Sequence, residues 1–337
     1  MAAPASAFVC CSFIAIIIGM NITLLDSATL GSDIDTSVLG QFGTFTDYPS
    51  SDRQEVSERV QNADIVVTNK VVMDREMLEA APSLKLICLT ATGVNNIDLD
   101  AARGMNIAVT NVAGYSTASV AQHTIASTLS LLEHLEYYDS YVKSGQYAGN
   151  TMFTHLSRTF WEVDGKHWGI IGLGAIGKAV ARVAEAMGCS ISYYSTSGRN
   201  LDASYRHQEL DELLRESDVV SIHAPLNDQT RDLIRSKELS LMKQHAILVN
   251  VGRGGIVNET DLAQALRDSV LRAAAIDVFS REPIEAENPL LADDIQDKLL
   301  LTPHIAWASV EARTRVVDEV CANISAFLAG ESRNRVV

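Results

Sequence analysis

Trp168-Gly169-Ile170-Ile171-Gly172-Leu173-Gly174-Ala175-Ile176-Gly177 decides how this chain is read. An apolar run enters three glycines in the G-x-G-x-x-G spacing, and a helical pattern from Lys178 to Met187 follows. The glycine spacing alone is a weak signal. Between a strand and a helix it has the context that pyrophosphate binding requires. Gly172 allows the tight turn, Gly174 lets the backbone approach the anion, and Gly177 permits close packing of helix on strand. The helix N-terminus offers unpaired N–H groups and a positive partial charge.

Outward from this stretch, strands are predicted at 167–172, 190–194, 219–223, 246–251, 273–278 and 298–302, with helices between them. Six ordered strands of this kind match a dinucleotide-binding fold and leave little room for a purely structural glycine turn. Upstream, strand-like runs at 22–25, 65–68, 86–89 and 107–110 alternate with helical patterns such as 53–61 and 98–103. Alternation of this sort implies a second parallel sheet with helices on both faces. One long helix is predicted over 117–143, capped by Ser116 or Thr117 and ended by Gly145. The stretch 144–166 is irregular and aromatic, carrying Tyr147, Phe153, Phe160 and Trp161. A last helix, 310–328, follows His304 and is expected to return to the first domain.

The chain has 337 residues, enough for two domains. Apolar residues make up 47% and charged residues 20%, a globular composition. The net charge of −15 argues against nucleic-acid binding and against adhesion to anionic lipid. The five cysteines form no C-x-x-C, so neither a disulfide framework nor a zinc site is expected. Phe8 to Gly19 is apolar but too short to span a bilayer. No Lys or Arg precedes Arg53, and no small-residue cleavage site follows the run. Met20 is therefore expected to be the natural start, residues 1–19 a disordered extension, and the protein cytoplasmic.

Three polar residues close the reading of the second half. Arg253 follows the apolar run 246–251, Glu282 follows 274–279, and His304 follows Leu299-Leu300-Leu301-Thr302-Pro303. In open α/β sheets, ligands bind outside the carboxyl ends of the strands. A guanidinium, a carboxylate and an imidazole brought together there make a site for a carbonyl acid. Taken singly, Glu282 reads as a loop carboxylate and His304 as a satisfied loop histidine; their joint placement reverses both readings. The second strand of the nucleotide domain ends in Ser195 where an acid is expected, with Thr196 and Arg199 close behind. That acid would repel a ribose 2′-phosphate, so its absence and Arg199 favour NADP(H), with NAD(H) as the alternative. His123, His155 and His167 have no partner that the sequence can name.

The motifs together resemble the D-isomer-specific 2-hydroxyacid dehydrogenase family. They are Ala91 to Asp98, the glycine loop, Ser221-Ile222-His223-Ala224-Pro225-Leu226, Asn250 to Gly254, Asp277 to Pro283, and Thr302 to Trp307. The resemblance covers nearly all of 20–337. Gly114-Tyr115-Ser116 and His304 to Trp307 resemble the glycerate dehydrogenase and hydroxypyruvate reductase branch; phosphoglycerate-type members more often carry Asn at Tyr115. Departures are Ser195, Gln122 in place of a frequent Glu, and the extension before Met20.

The resemblance implies an α/β protein of two doubly wound parallel-sheet domains. These are a flavodoxin-like substrate domain, 20–117 plus 305–337, and a Rossmann dinucleotide-binding domain, 118–304. It also implies a homodimer built on the nucleotide domain, catalysis in the cleft between domains, and no metal. In that reading Arg253 holds the substrate carboxylate, His304 gives the proton, and Glu282 orients His304. Gly93 and Val94 offer N–H groups to the substrate, and Lys70 is the cation available for a phosphorylated one. Trp307 either walls the substrate pocket or packs in the core. Cofactor contacts are expected at Gly172, Gly174, Ala175, Ile176, Gly177, Ser195, Thr196, Arg199, His223, Ala224, Pro225, Val251, Gly252 and Ala306. Asp277 is expected to fix the nicotinamide carboxamide. The expected reaction reduces hydroxypyruvate or glyoxylate. D-lactate-type and 3-phosphoglycerate-type dehydrogenases are the enzymatic alternatives, and a nucleotide-sensing corepressor or scaffold on the same fold is the non-enzymatic one.

Overall fold

A computed structural model describes residues 19–199 and 201–337. The expectation for the extension thus lies, Gly19 apart, outside the described residues. The chain forms two compact units: one runs up to Tyr115 and resumes over Arg313–Val337, and the other is Ser116–Ala312. The cuts expected after 117 and after 304 differ from these boundaries, which fall after Tyr115 and after Ala312.

The first unit holds strands β1 (Met20–Leu24), β2 (Gly43–Asp47), β3 (Ile65–Thr68), β4 (Leu86–Leu89) and β5 (Ala108–Thr110). They form one parallel sheet in the order β2-β1-β3-β4-β5. Its helices are α1 (Arg53–Arg59), α2 (Arg75–Glu79) and α3 (Leu99–Gly104). Asp52, Asp74 and Asp98 cap them by accepting backbone N–H groups of the first turn. Every residue of β3 and β4 is buried, as expected of a parallel sheet covered on both faces. The sequence does not announce β2. It is an edge strand of alternating half-buried and exposed residues, so it lacks the apolar run that marks its neighbours.

The second unit begins with helices α4 (Thr117–Glu133) and α5 (Leu135–Lys143). Then come β6 (His167–Ile171), α6 (Ala175–Ala186), β7 (Ser190–Tyr194), β8 (Arg206–His207), α7 (Leu210–Glu216), β9 (Val219–Ile222) and α8 (Ser236–Leu241). β10 (Ile247–Asn250), α9 (Glu259–Arg267), β11 (Ala273–Ile276) and β12 (Leu299–Leu301) complete it. The seven strands are all parallel, in the order β12-β11-β10-β9-β6-β7-β8. The order reverses at β6, the first strand, so the crevice at the carboxyl ends of β6 and β9 is a topological switch point. Helix α10 (Val310–Leu328) carries the chain from the second unit into the last segment of the first.

The single helix expected over 117–143 is two helices. His134 adopts a left-handed conformation (φ 54°) and separates α4 from α5. The cause is tertiary: an Arg272 guanidinium nitrogen bonds the Leu132 carbonyl, His134 Nε2 and the Thr159 carbonyl, and the group stacks on the Trp161 ring. Ser116 precedes α4, but its hydroxyl makes no capping bond. Helix α6 starts at Ala175 rather than Lys178, because the end of the glycine motif is already helical. Strand β8, two exposed residues at the sheet edge, likewise has no apolar run to mark it in the sequence.

Candidate active site

The loops leaving the carboxyl ends of β6, β9, β10 and β11 touch one another in sequence. A Cβ on Gly172 would lie 3.0 Å from the Ala224 nitrogen, and one on Gly252 would lie 2.9 Å from the Ala224 oxygen. At Gly254 it would lie 1.7 Å from the Phe279 carbonyl oxygen, a distance no side chain tolerates. Glycine at 254 is therefore what lets the Arg253 turn lie directly on the loop that carries Glu282. Buried Asn250 ties this turn down: its amide donates to the Arg253 carbonyl at 3.1 Å and its oxygen accepts the Gly252 N–H at 3.1 Å. The Arg253 side chain is exposed; one guanidinium nitrogen donates to the Gly252 carbonyl at 2.7 Å. Among the described residues it forms no ion pair, so its charge is available to an anion.

Glu282 and His304 meet. His304 Nδ1 lies 2.7 Å from Glu282 Oε2, while Glu282 Oε1 accepts the Phe279 N–H at 3.0 Å. A carboxylate only accepts, so Nδ1 carries the proton and Nε2 is the nitrogen left for chemistry. His304 sits at φ 55°, the left-handed region that a bulky residue adopts only when its surroundings impose it. Asp277 imposes much of it. Its side chain is 2% exposed. Its carboxylate accepts Thr302 Oγ1–H at 2.6 Å and the N–H groups of Ile305 and Ala306 at 2.9 Å each. Its main-chain carbonyl accepts the His304 N–H at 2.8 Å. The sequence does not reveal these internal ties, nor the anchoring of the next loop by Glu259. That carboxylate takes the Ser280 N–H, the Ser280 hydroxyl and the Asn288 amide.

Replacing Glu282 with alanine removes the acceptor that holds Nδ1–H and with it the tie between the ring and the Phe279 N–H. An unheld imidazole loses its line of proton transfer, so kcat is expected to fall by roughly 10- to 100-fold in Glu282→Ala, with Glu282→Gln, which keeps an acceptor, losing less. Parental kcat in Glu282→Ala, measured at saturating oxo acid, would count against the pairing.

The glycine loop leaves its backbone open to an anion. Gly172 has φ 94°, a Cβ on Gly177 would lie 2.3 Å from the Gly172 carbonyl oxygen, and a Cβ on Gly174 would meet nothing within 4 Å. Gly174 precedes α6 without any side-chain cap, leaving the first N–H groups of the helix open. Two buried polar atoms lack partners on the strand ends beside the cradle, Ser195 Oγ and His223 Nδ1. Ser221 Oγ accepts the Trp168 indole N–H at 2.9 Å and lies 3.0 Å from His223 Nε2. His223 Nδ1 is thus a buried ring nitrogen without a hydrogen-bond partner. Burial pushes the His223 pKa down to about 3, so the ring is neutral at neutral pH. Unsatisfied buried groups of this kind fit a site completed by a ligand.

Ala224, Val251 and Ala306 are buried around the same strand ends, and Pro225 gives its carbonyl to Thr230. Thr196 is half-buried and Arg199 exposed. Trp307 packs, partly buried, on the cluster that contains Val120, Val249, Val251 and Ala306. Lys70, Gly93 and Val94 belong to the first unit, after β3 and β4. There buried Asp26 gathers the N–H groups of Asn69, Lys70 and Val71. Among the described residues no group of three or more His, Cys, Asp or Glu is placed to hold a metal ion.

A family model described as the NAD-binding domain of D-isomer specific 2-hydroxyacid dehydrogenases matches residues 125–306. The chain belongs to this family. As a 2-hydroxyacid dehydrogenase it is an oxidoreductase, and its two parallel-sheet domains are those of its structural relatives. It is 36% identical to a hydroxypyruvate reductase of Blautia hydrogenotrophica, over 94% of this chain and 99% of that one. It is 35% identical to a glycerate dehydrogenase of Methylorubrum extorquens, over 84% and 88%. Among solved structures it is similar to an acyclic imino acid reductase in complex with NADPH and D-Arg. That match has a TM-score of 0.83 and 27% identity, over 94% of this chain and all of that one. Residues 125–306 include Arg253, Glu282 and His304, so all three stand inside the matched span of the dehydrogenase.

Proposed function

We propose that this dehydrogenase reduces a small 2-oxo acid of the hydroxypyruvate or glyoxylate type to the D-2-hydroxy acid. The observation that carries the reading is the 2.7 Å contact between His304 and Glu282, on a loop that lies against the turn of Arg253. Arg253 binds the substrate carboxylate through its guanidinium fork. His304 delivers the Nε2 proton to the ketone oxygen, and Glu282 holds the ring through Nδ1. When bound, the nicotinamide cofactor supplies the hydride. Gly172, Gly174 and the start of α6 would hold its pyrophosphate. One lone pair of Asp277 Oδ2 remains for its carboxamide beside the Ala306 N–H. The test is a panel of 2-oxo acids, with hydroxypyruvate, glyoxylate, pyruvate and 3-phosphohydroxypyruvate assayed against NADH and NADPH. Reduction of hydroxypyruvate or glyoxylate above the others is expected; no turnover of any of them overturns the reading.

We further propose that NADPH is accepted and favoured. Ser195 Oγ is unpartnered, and Arg199 forms no ion pair among the described residues. Asp202 in the same loop is held by Lys178 at 2.8 Å, a contact that keeps its pKa at about 2 and balances its charge. Ser195→Asp is expected to lower kcat/KM for NADPH by more than about tenfold through charge repulsion while sparing NADH. Strict NADH use by the parent enzyme would refute the preference.

A homodimer built on the second unit is part of the same reading. Helix α5 buries none of its residues, and the stretch after it exposes Met152 (61%), Phe153 (88%) and Leu156 (78%). A face this apolar fits a second copy of the chain. Sedimentation giving a monomer mass at micromolar concentration would exclude it. Cys88, Cys189 and Cys321 are free thiols, which suits the reducing cytoplasm, a location that cell fractionation would check.

A further inference from the structure

Helix α4 holds the underside of the turn that carries His304. Ser119 and His123 are one helical turn apart, so both face the same way from α4. Ser119 Oγ donates to the Ala306 carbonyl at 2.7 Å and accepts the Ser309 N–H at 3.3 Å. His123 Nε2 lies 3.2 Å from Thr302 Oγ1 and 3.9 Å from Asp277 Oδ1. Thr302 has one hydroxyl proton, and the 2.6 Å contact sends it to Asp277 Oδ1. A carboxylate has no proton to return, so the 3.2 Å contact is His123 Nε2–H donating to Thr302 Oγ1. The relay His123, Thr302, Asp277 ends on the carboxylate that fixes the N–H groups of Ile305 and Ala306.

We propose that Ser119 and His123 are positioning residues for the His304 acid, acting through the main chain of residues 302–309 without touching substrate. A left-handed histidine does not hold its conformation unaided. Its turn is fixed at both ends, by Thr302 and Asp277 on one side and by the Ser119 clamp on Ala306 and Ser309 on the other. Slack in either tie lets the imidazole drift from the line of proton transfer, and a misplacement of about 1 Å costs roughly 100-fold in rate. The inference rests on the reading of His304 as the acid.

The experiment measures steady-state kinetics of the full-length enzyme with hydroxypyruvate at saturating cofactor, for Thr302→Val, His123→Leu, His123→Gln and Ser119→Ala. Cofactor affinity is followed by protein fluorescence. Thr302→Val and His123→Leu are expected to lose roughly 10- to 100-fold in kcat. KM for the oxo acid and cofactor affinity should change little. His123→Gln, which keeps an N–H at the reach of Nε2, should recover most of the loss. Thr302→Val is nearly isosteric and decides the matter if His123→Leu does not fold. Parental kcat in Thr302→Val overturns the proposal. So does equal loss in His123→Gln and His123→Leu, or a loss that follows cofactor affinity. His304→Gln is assayed alongside. Normal turnover there defeats the reading of the acid itself, whereas an inactive His304→Gln beside a normal Thr302→Val defeats only the relay.

Discussion

His304→Gln is expected to lower kcat for 2-oxo acid reduction by about 10²–10⁴-fold while cofactor affinity and thermal unfolding stay near those of the parent. The proton on Nδ1 is committed to Glu282, so Nε2 is the atom that reaches the ketone. Glutamine has an amide of similar reach that donates a hydrogen bond but cannot lose its proton at neutral pH. It would stabilise developing negative charge on oxygen without completing the transfer. The fold should persist, because the ties that hold the turn come from Asp277, Thr302 and Ser119 rather than from the imidazole. Single-turnover measurement of cofactor oxidation checks this directly, and near-parental turnover would remove His304 from the role of acid.

The second large effect is expected at Arg253. Truncation to alanine should reduce kcat/KM by at least about 10²-fold, with KM for the oxo acid raised. Arg253→Lys should recover only part, since a point charge replaces a planar fork matched to a carboxylate. The side chain is exposed and, among the described residues, donates to the Gly252 carbonyl, so its removal costs one hydrogen bond and no core packing. Loss of activity would therefore report on substrate and not on stability. Near-normal kcat/KM for Arg253→Ala, measured over a range of oxo acid concentrations, would overturn the assignment.

How far the sequence reveals this molecule follows from where its information lies. Strands 65–68, 86–89 and 190–194 coincide with the structure because each is a short β-rich run bounded by turn residues. Strand β2 is hidden because an edge strand half in solvent carries no such run. The break at His134 is hidden because its cause, Arg272, lies far along the chain. The same holds at the site. Arg253, Glu282 and His304 are legible as polar residues at strand ends, in motifs whose glycines fix the backbone. His123, Ser119 and Thr302 are not, because their contacts join α4 to a turn about 180 residues away, and no local spacing encodes that. Asp277 is legible as a polar residue at a strand end. Its occupation by three internal donors is visible only once the chain is folded.

The left-handed backbone of His304 sets chemistry against endurance. At such a position asparagine or glycine is the comfortable residue, and histidine persists against a local preference of about 1–3 kcal/mol. A search for heat-resistant variants that scored survival alone would drift toward those substitutions and discard the imidazole. Any programme to harden this enzyme must therefore screen turnover together with melting temperature, and take its gains far from the loop between Thr302 and Ser309.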